Sequence, residues 1–316
     1  MLQRSSEPQS ARLYTSHERL LRCKAQGLAA SRLKVVRPHS IQAGVNRSAR
    51  LGRGTEFIEL RPYSPGDDIR HMDWRATARS DASWIRAFES DLNFAVTLVV
   101  DQRTALFFGS ERYTKTLLSA ELAAIAAWDH LHLGYAVQFI FVEDHGLRAS
   151  DACRTERELE RELALLARIQ NQGKPFQKEE VAHSSEALLD YLVSYGSHRD
   201  VLFFSTLAAP SLLDEKQLAA VADHHALKWI NISDRLDSDL LNLRGIHIAD
   251  RNGSLSLDDL GVSALTGYRQ AVLEQERDFA TSCKHTGTLC YAVSSGTSAL
   301  DAYSANRGFG RFEGEH

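Results

Sequence analysis

Between residues 53 and 79 the chain concentrates the groups from which phosphoryl or metal chemistry is built. Glu56, Glu59, Asp67, Asp68 and Asp73 stand among Arg53, Arg61, Arg70, Arg75 and Arg79. On one reading Glu56, Asp67, Asp68 and Asp73 gather two metal ions near Arg70 and Arg79, the kit of a metal-dependent nuclease or phosphatase. On the other the segment is structural: each acid has a base close by in sequence, and bidentate arginine–carboxylate pairs fix the shape of a short segment. The local neutrality favours the second reading, and His71 is the sole histidine in a stretch without lysine. Tyr63 and Trp74 would then supply the apolar anchor. Gly66, following Pro65, suits the third position of a type II turn, which requires positive φ.

A second candidate lies at the end of an apolar run, where the chain reads Asp101-Gln102-Arg103-Thr104-Ala105. Asp101 is a hard-oxygen group, but the guanidinium of the arginine two residues on cannot ligate a cation. Cys23, Cys153, Cys283 and Cys290 show no CxxC pair and read as free buried thiols. The thirteen histidines are scattered without ligand spacing. Gly52-Arg-Gly54 lacks the Gly-Lys-Ser/Thr of a phosphate loop, so no nucleotide or other cofactor is predicted.

These groups must be held by elements, and the pattern of those elements is plain from residue 94 onward. The run 94–100 is continuous and β-branched, 112–133 is an alanine-rich helical stretch, and 135–142 is a second strand. Helices follow over 155–170 and 184–195, the latter with Ser184 as its N-cap, then a strand over 201–204, a helix over 211–224 and a strand over 226–232. Apolar strands alternating with helices predict an α/β fold with a doubly wound, mostly parallel sheet, whose functional end lies at the carboxyl ends of its strands. The predicted organisation is a basic arm with a short helix over 1–50, a β-rich extension over 51–90, the α/β domain over 91–250, and a C-terminal strand, helix and frayed tail over 251–316.

The chain has 316 residues, 43% of them hydrophobic and 25% charged, enough to bury a sizeable core. Its net charge of −4 conceals an asymmetry: residues 1–54 hold eleven Lys or Arg against Glu7 and Glu18, a balance of +9 that leaves −13 elsewhere. Tyr14 is the only aromatic in the arm's first 54 residues, so a nucleic-acid groove is the weakest reading. Docking on the acidic body of the same chain, or on an acidic partner, is stronger. No apolar stretch approaches the roughly 20 residues of a membrane helix. The opening residues lack the apolar core of a secretory signal. A soluble, cytoplasmic protein is therefore predicted.

Two stretches together carry a family resemblance. Gly52-Arg-Gly-Thr-Glu-Phe57, Glu59-Leu-Arg-Pro-Tyr63, Pro65-Gly-Asp-Asp68, Arg70, Asp73-Trp74 and Thr77-Ala-Arg79 closely resemble the signature of the domain-of-unknown-function 58 family. Asp101-Gln-Arg-Thr-Ala-Leu-Phe-Phe-Gly-Ser110, at the end of the first core strand, resembles it too. The resemblance implies a von Willebrand A-like domain and a MoxR-type AAA+ ATPase as partner, in protein maturation, complex assembly or stress-related remodelling without enzymatic activity of its own. It also implies a metal site built from the Asp101 motif and later loops. That site is degenerate here: Arg103 and Ala105 replace hydroxyls, and the later acidic position reads Ser205-Thr206. Arg103 is expected either to neutralise Asp101 or to offer its fork to a partner carboxylate. Glu56, Arg61, Tyr63, Asp67, Asp68, Arg70, Asp73, Trp74 and Arg79 are expected to be structural or partner-binding.

Overall fold

The computed structural model describes residues 13–31, 57–62, 72, 74–77, 79, 84–88, 95–172, 181–194, 199–207, 212–238, 240, 247–249, 254–306 and 309. In chain order the elements are α1 (His17–Ser31), β1 (Phe57–Pro62), α2 (Trp74–Thr77), β2 (Trp84–Phe88), β3 (Ala95–Asp101), α3 (Lys115–His132), β4 (Ala136–Glu143), β5 (Gly146–Ala149), α4 (Glu156–Gln172), α5 (Val181–Ser194), β6 (Asp200–Ser205), α6 (Glu215–Ala222), β7 (Ala226–Ser233), α7 (Arg235–Ser238), β8 (His247–Ala249), β9 (Ser254–Ser256), α8 (Val262–Thr286), β10 (Leu289–Ser294) and α9 (Ala299–Ala305). They fall into two compact units, one joining Met1–Val35 to Ala95–Arg311, the other comprising Val36–Phe94 and Phe312–His316.

The larger unit is built on a six-stranded sheet in the order β10-β7-β6-β3-β4-β5. All neighbours pair in parallel except β4 with β5, so the predicted doubly wound, mostly parallel α/β fold is what the chain forms. β3 is central and buried from Val96 onward, as expected of a β-branched run covered on both faces. On one face lies α3, contacted in turn by α1, α4 and α9. On the other, Leu188, Leu192, Leu218 and Cys283 from α5, α6 and α8 pack with Val99, Val201, Phe203 and Trp229 of the strands. Lys115 to His130 of α3 are buried throughout, and the helix tolerates this because its alanines let neighbours approach closely. It ends at Gly134, whose φ of +88° closes the turn into β4.

The basic segment around α1 docks on its own body. Leu20 and Cys23 are buried, Thr15 N donates to Gln170 Oε1 at 2.8 Å, and Asn171 Nδ2 donates to Thr15 O at 2.7 Å. Arg19 pairs with Glu121 of α3, and Lys24 pairs with Glu156 at 2.6 Å. Gly27 marks the closest approach, since an added Cβ would meet Trp128 Cβ at 2.8 Å. Among the described residues no helix is long and apolar enough to cross a membrane.

Four expectations about the larger unit need correction. The described residues of the C-terminal region are packed, not frayed: β10 joins the sheet, Tyr303 and Phe309 are fully buried, and Tyr303 Oη donates to Asp129 Oδ2 at 2.7 Å. The α/β unit therefore extends well past residue 250. Cys283 and Cys290 are bonded as a disulfide, because Gly287, in the left-handed conformation, turns the end of α8 back into β10; Cys23 and Cys153 remain free and buried. Burial pushes both of those thiols up to about 12. Finally, α5 begins at Val181, so Ser184 lies inside the helix and does not cap it.

The smaller unit contributes an antiparallel hairpin of β1 and β2, in which Arg61 is opposite Ile85, and the short helix α2. Trp74, expected to anchor this unit, is 66% exposed at the start of α2, where a helical turn of four residues turns it outward.

Candidate functional site

In a doubly wound sheet the crevice opens where the chain reverses its winding direction. Here β3 is followed by β4 on one side and β6 on the other, so the crevice lies between the carboxyl ends of β3 and β6. Those ends carry Asp101 and Ser205. Asp101 is fully buried and accepts from Arg103 N (3.1 Å) and Nε (2.9 Å) at Oδ1, and from Arg103 Nη2 (2.7 Å) and Ser205 Oγ (2.6 Å) at Oδ2. Arg103 is likewise wholly buried. A short 3-10 turn, Thr104–Leu106, holds the arginine in place. Thr104 N and Oγ1 donate to the two oxygens of Asp144, at 2.8 and 2.5 Å, tying the turn to the end of β4. Gln102 Nε2 donates to the Asp101 and Thr116 carbonyls, each at 3.1 Å.

The residues present do not fit the divalent ion that the resemblance implies. Both cation-facing oxygens of Asp101 are taken by a guanidinium, and Ser205 completes the carboxylate's shell from β6. Ala105 lies in the 3-10 turn with no ligating atom, and Thr206 is buried at the next position after β6. Of the two roles expected for Arg103, neutralising Asp101 is the one the geometry supports. The fork is enclosed and bidentate to Asp101.

A second polar cluster closes the other half of this face. Asp234, just past β7, accepts from Ser110 N (2.8 Å), Ser110 Oγ, Ser295 Oγ (2.5 Å) and Leu236 N (2.9 Å). Burial alone would raise its pKa; the donors from Ser110, Ser295 and Leu236 outweigh that and hold the carboxyl below its ordinary value. Asp234 N donates to Asp237 Oδ2 at 2.7 Å, and Lys115 Nζ pairs with Asp237 Oδ1 at 2.6 Å. Gly109 permits this arrangement, since a Cβ there would lie 2.1 Å from Tyr113 O. The face is thus a set of internally satisfied carboxylates with serine, threonine and backbone donors.

Sequence reading placed Asp101 and Arg103 together but missed Asp144, Asp234, Ser295, Lys115 and Asp237. The available signal for Asp144 and Asp234 was their position directly after a strand, the same one that marked Asp101. Of the acidic signature, Glu56, Tyr63, Asp67, Asp68, Arg70 and Asp73 lie outside the described residues, as do the side chain of Arg61 and any metal cluster they would form. Arg79 is exposed after α2.

Residues 59–271, more than half of the chain, match the family described as Protein of unknown function DUF58. Uncharacterized proteins of Mycobacterium bovis and Mycobacterium tuberculosis are each 41% identical to the chain over 83 residues, 26% of this chain and 26% of each relative. The chain therefore aligns with only about a quarter of the length of these curated relatives. With the family match extending across the β3 motif and most of the sheet, this chain belongs to the DUF58 family.

Proposed function

We propose that the chain is a non-enzymatic interaction protein with a von Willebrand A-like domain, which works with a MoxR-type AAA+ ATPase in protein maturation, complex assembly or stress-related remodelling. The observation that carries this reading is the buried Asp101–Arg103 pair at the sheet's switch point. A catalytic site at that position would need an open ligand shell, a nucleophile or a proton carrier. Instead each carboxylate on this face is engaged by donors of the same chain. What remains is a shaped, rigid loop face, suited to contact with a protein. Energy for remodelling would come from the partner, since the chain's own Gly52-Arg-Gly54 is not a phosphate loop.

The test is capture of the tagged full chain from its native cell. A MoxR-type ATPase should co-purify in stoichiometric amount, and a variant with Gly109→Val, which forces the Ser110 loop apart, should lose it. Recovery of the chain without any AAA+ ATPase would refute the proposal.

A further inference from the structure

A second cleft lies beside the strand-end polar cluster, where the docked basic segment meets the loops that follow β3 and β10. Between α1, the residues leading into α3 and the start of α9 lies a cleft of about 460 Å³, lined in part by Arg19, Arg22, Arg112, Tyr113, Glu121 and Leu300. Tyr113 is one of the lining residues. The ring is almost fully buried, its backbone N donates to Ser295 O at 3.2 Å, and two guanidiniums flank it, with Cζ of Arg19 5.5 Å and Cζ of Arg112 5.0 Å from the centroid.

The three arginines are not equivalent. Arg19 is matched by Glu121, a partly buried pair. Arg22 is joined at 2.5 Å to Glu18 of its own helix, and both side chains are about three-quarters exposed, so water competes for that pair and it is easily exchanged. Arg112 is exposed, stacks on Tyr113, and has no carboxylate partner among the described residues. Among the described residues that line it, Arg19, Arg22 and Arg112 outnumber Glu18 and Glu121 by one. Stacking on the ring orients the Arg112 fork while leaving its donors available for a planar, bidentate acceptor. Ala299 and Leu300 line the cleft beside them with apolar surface.

We infer that this cleft binds a short acidic peptide segment of a protein partner, seating one carboxylate on Arg112 with an aliphatic side chain against Leu300. A surplus of a single positive charge matches one carboxylate. It is poorly matched to a polyanion or to phosphate, whose further charge would face Glu18 and Glu121. The inference concerns the isolated chain and does not depend on an ATPase being the partner.

The experiment uses the full chain and a fluorescein-labelled, C-terminally amidated hexapeptide that carries a single Glu beside a Leu among alanines, followed by fluorescence anisotropy. The same peptide with Gln for Glu is the control, and inorganic phosphate is a competitor. Saturable binding of the Glu peptide is expected, with the Gln peptide weaker by roughly tenfold or more, as for loss of one charge-assisted contact. Arg112→Glu should weaken the Glu peptide by at least as much, with an unchanged melting curve because Arg112 is exposed. Arg112→Lys, which keeps the charge and loses the fork, should fall between. Absent saturation, equal binding of the two peptides, or an unaffected Arg112→Glu variant would overturn the assignment. Displacement by phosphate at concentrations similar to the peptide's would also overturn it, in favour of a general anion site.

Discussion

The guanidinium of Arg103 lies against the carboxylate of Asp101, with Nε 2.9 Å from Oδ1 and Nη2 2.7 Å from Oδ2, and neither side chain has any exposed surface. The two residues are adjacent but one in sequence, so the pair forms within a single turn at the end of β3. A buried charge left alone is costly. Arg103→Ala should accordingly destabilise the chain by about 3–5 kcal/mol, the usual cost of removing one member of a buried pair. Adding Asp101→Asn to an Arg103→Met background should recover most of that loss, because the uncompensated charge goes with it. Denaturant unfolding of the three proteins checks this.

The docking of α1 makes the N-terminal segment part of the fold. Leu20→Ala, in a fully buried position, should cost about 2–5 kcal/mol. Gly27→Leu should cost a comparable amount, because its side chain has no space against Trp128 and the Ile125 carbonyl. Thermal melts of both variants, read beside the exposed Arg22→Ala as a control, give the measurement. A melting temperature unchanged in Leu20→Ala would show that α1 is not docked.

Asp234 gives the stability a dependence on acid. Its carboxyl is held below the ordinary value in the folded chain and returns to about 4 when unfolded. The stabilisation is then complete above about pH 4 and is lost as pH falls through that value toward the lower folded pKa. Wild-type protein should lose more stability as pH falls below about 4 than Asp234→Asn, which has no carboxyl to protonate. Urea midpoints at a series of pH values test the difference.

The cysteines offer a count. Denatured without reductant, the chain should titrate two thiols, Cys23 and Cys153, and after reduction four. In the folded state the same two should react slowly with an alkylating reagent, since burial has raised both thiols to about 12 and little thiolate is present near neutral pH. Rapid modification of either in the native protein would contradict their placement.

How far these features could be read from residues alone depends on the range of the interaction. The sheet was legible because β3, β4, β6 and β7 are continuous apolar runs between helices, a local pattern. The Asp101–Arg103 pair was legible because its members are two residues apart. The β10 strand was not: Leu289–Ser294 is short, mostly exposed and set in a Gly/Ser-rich region, and only pairing with β7 makes it a strand. Asp234 gathers Ser110 and Ser295 from 124 and 61 residues away, a closure that no local pattern encodes. Trp74 shows the opposite error, since an aromatic in a charged segment was read as an anchor and is exposed.

If the Arg103 guanidinium stands in for a metal ion at the switch point, calorimetric titration of the isolated chain with manganese or magnesium should give no saturable heat with wild-type protein. Saturable binding at the Asp101 face, abolished by Asp101→Asn and retained by Arg103→Ala, would contradict it.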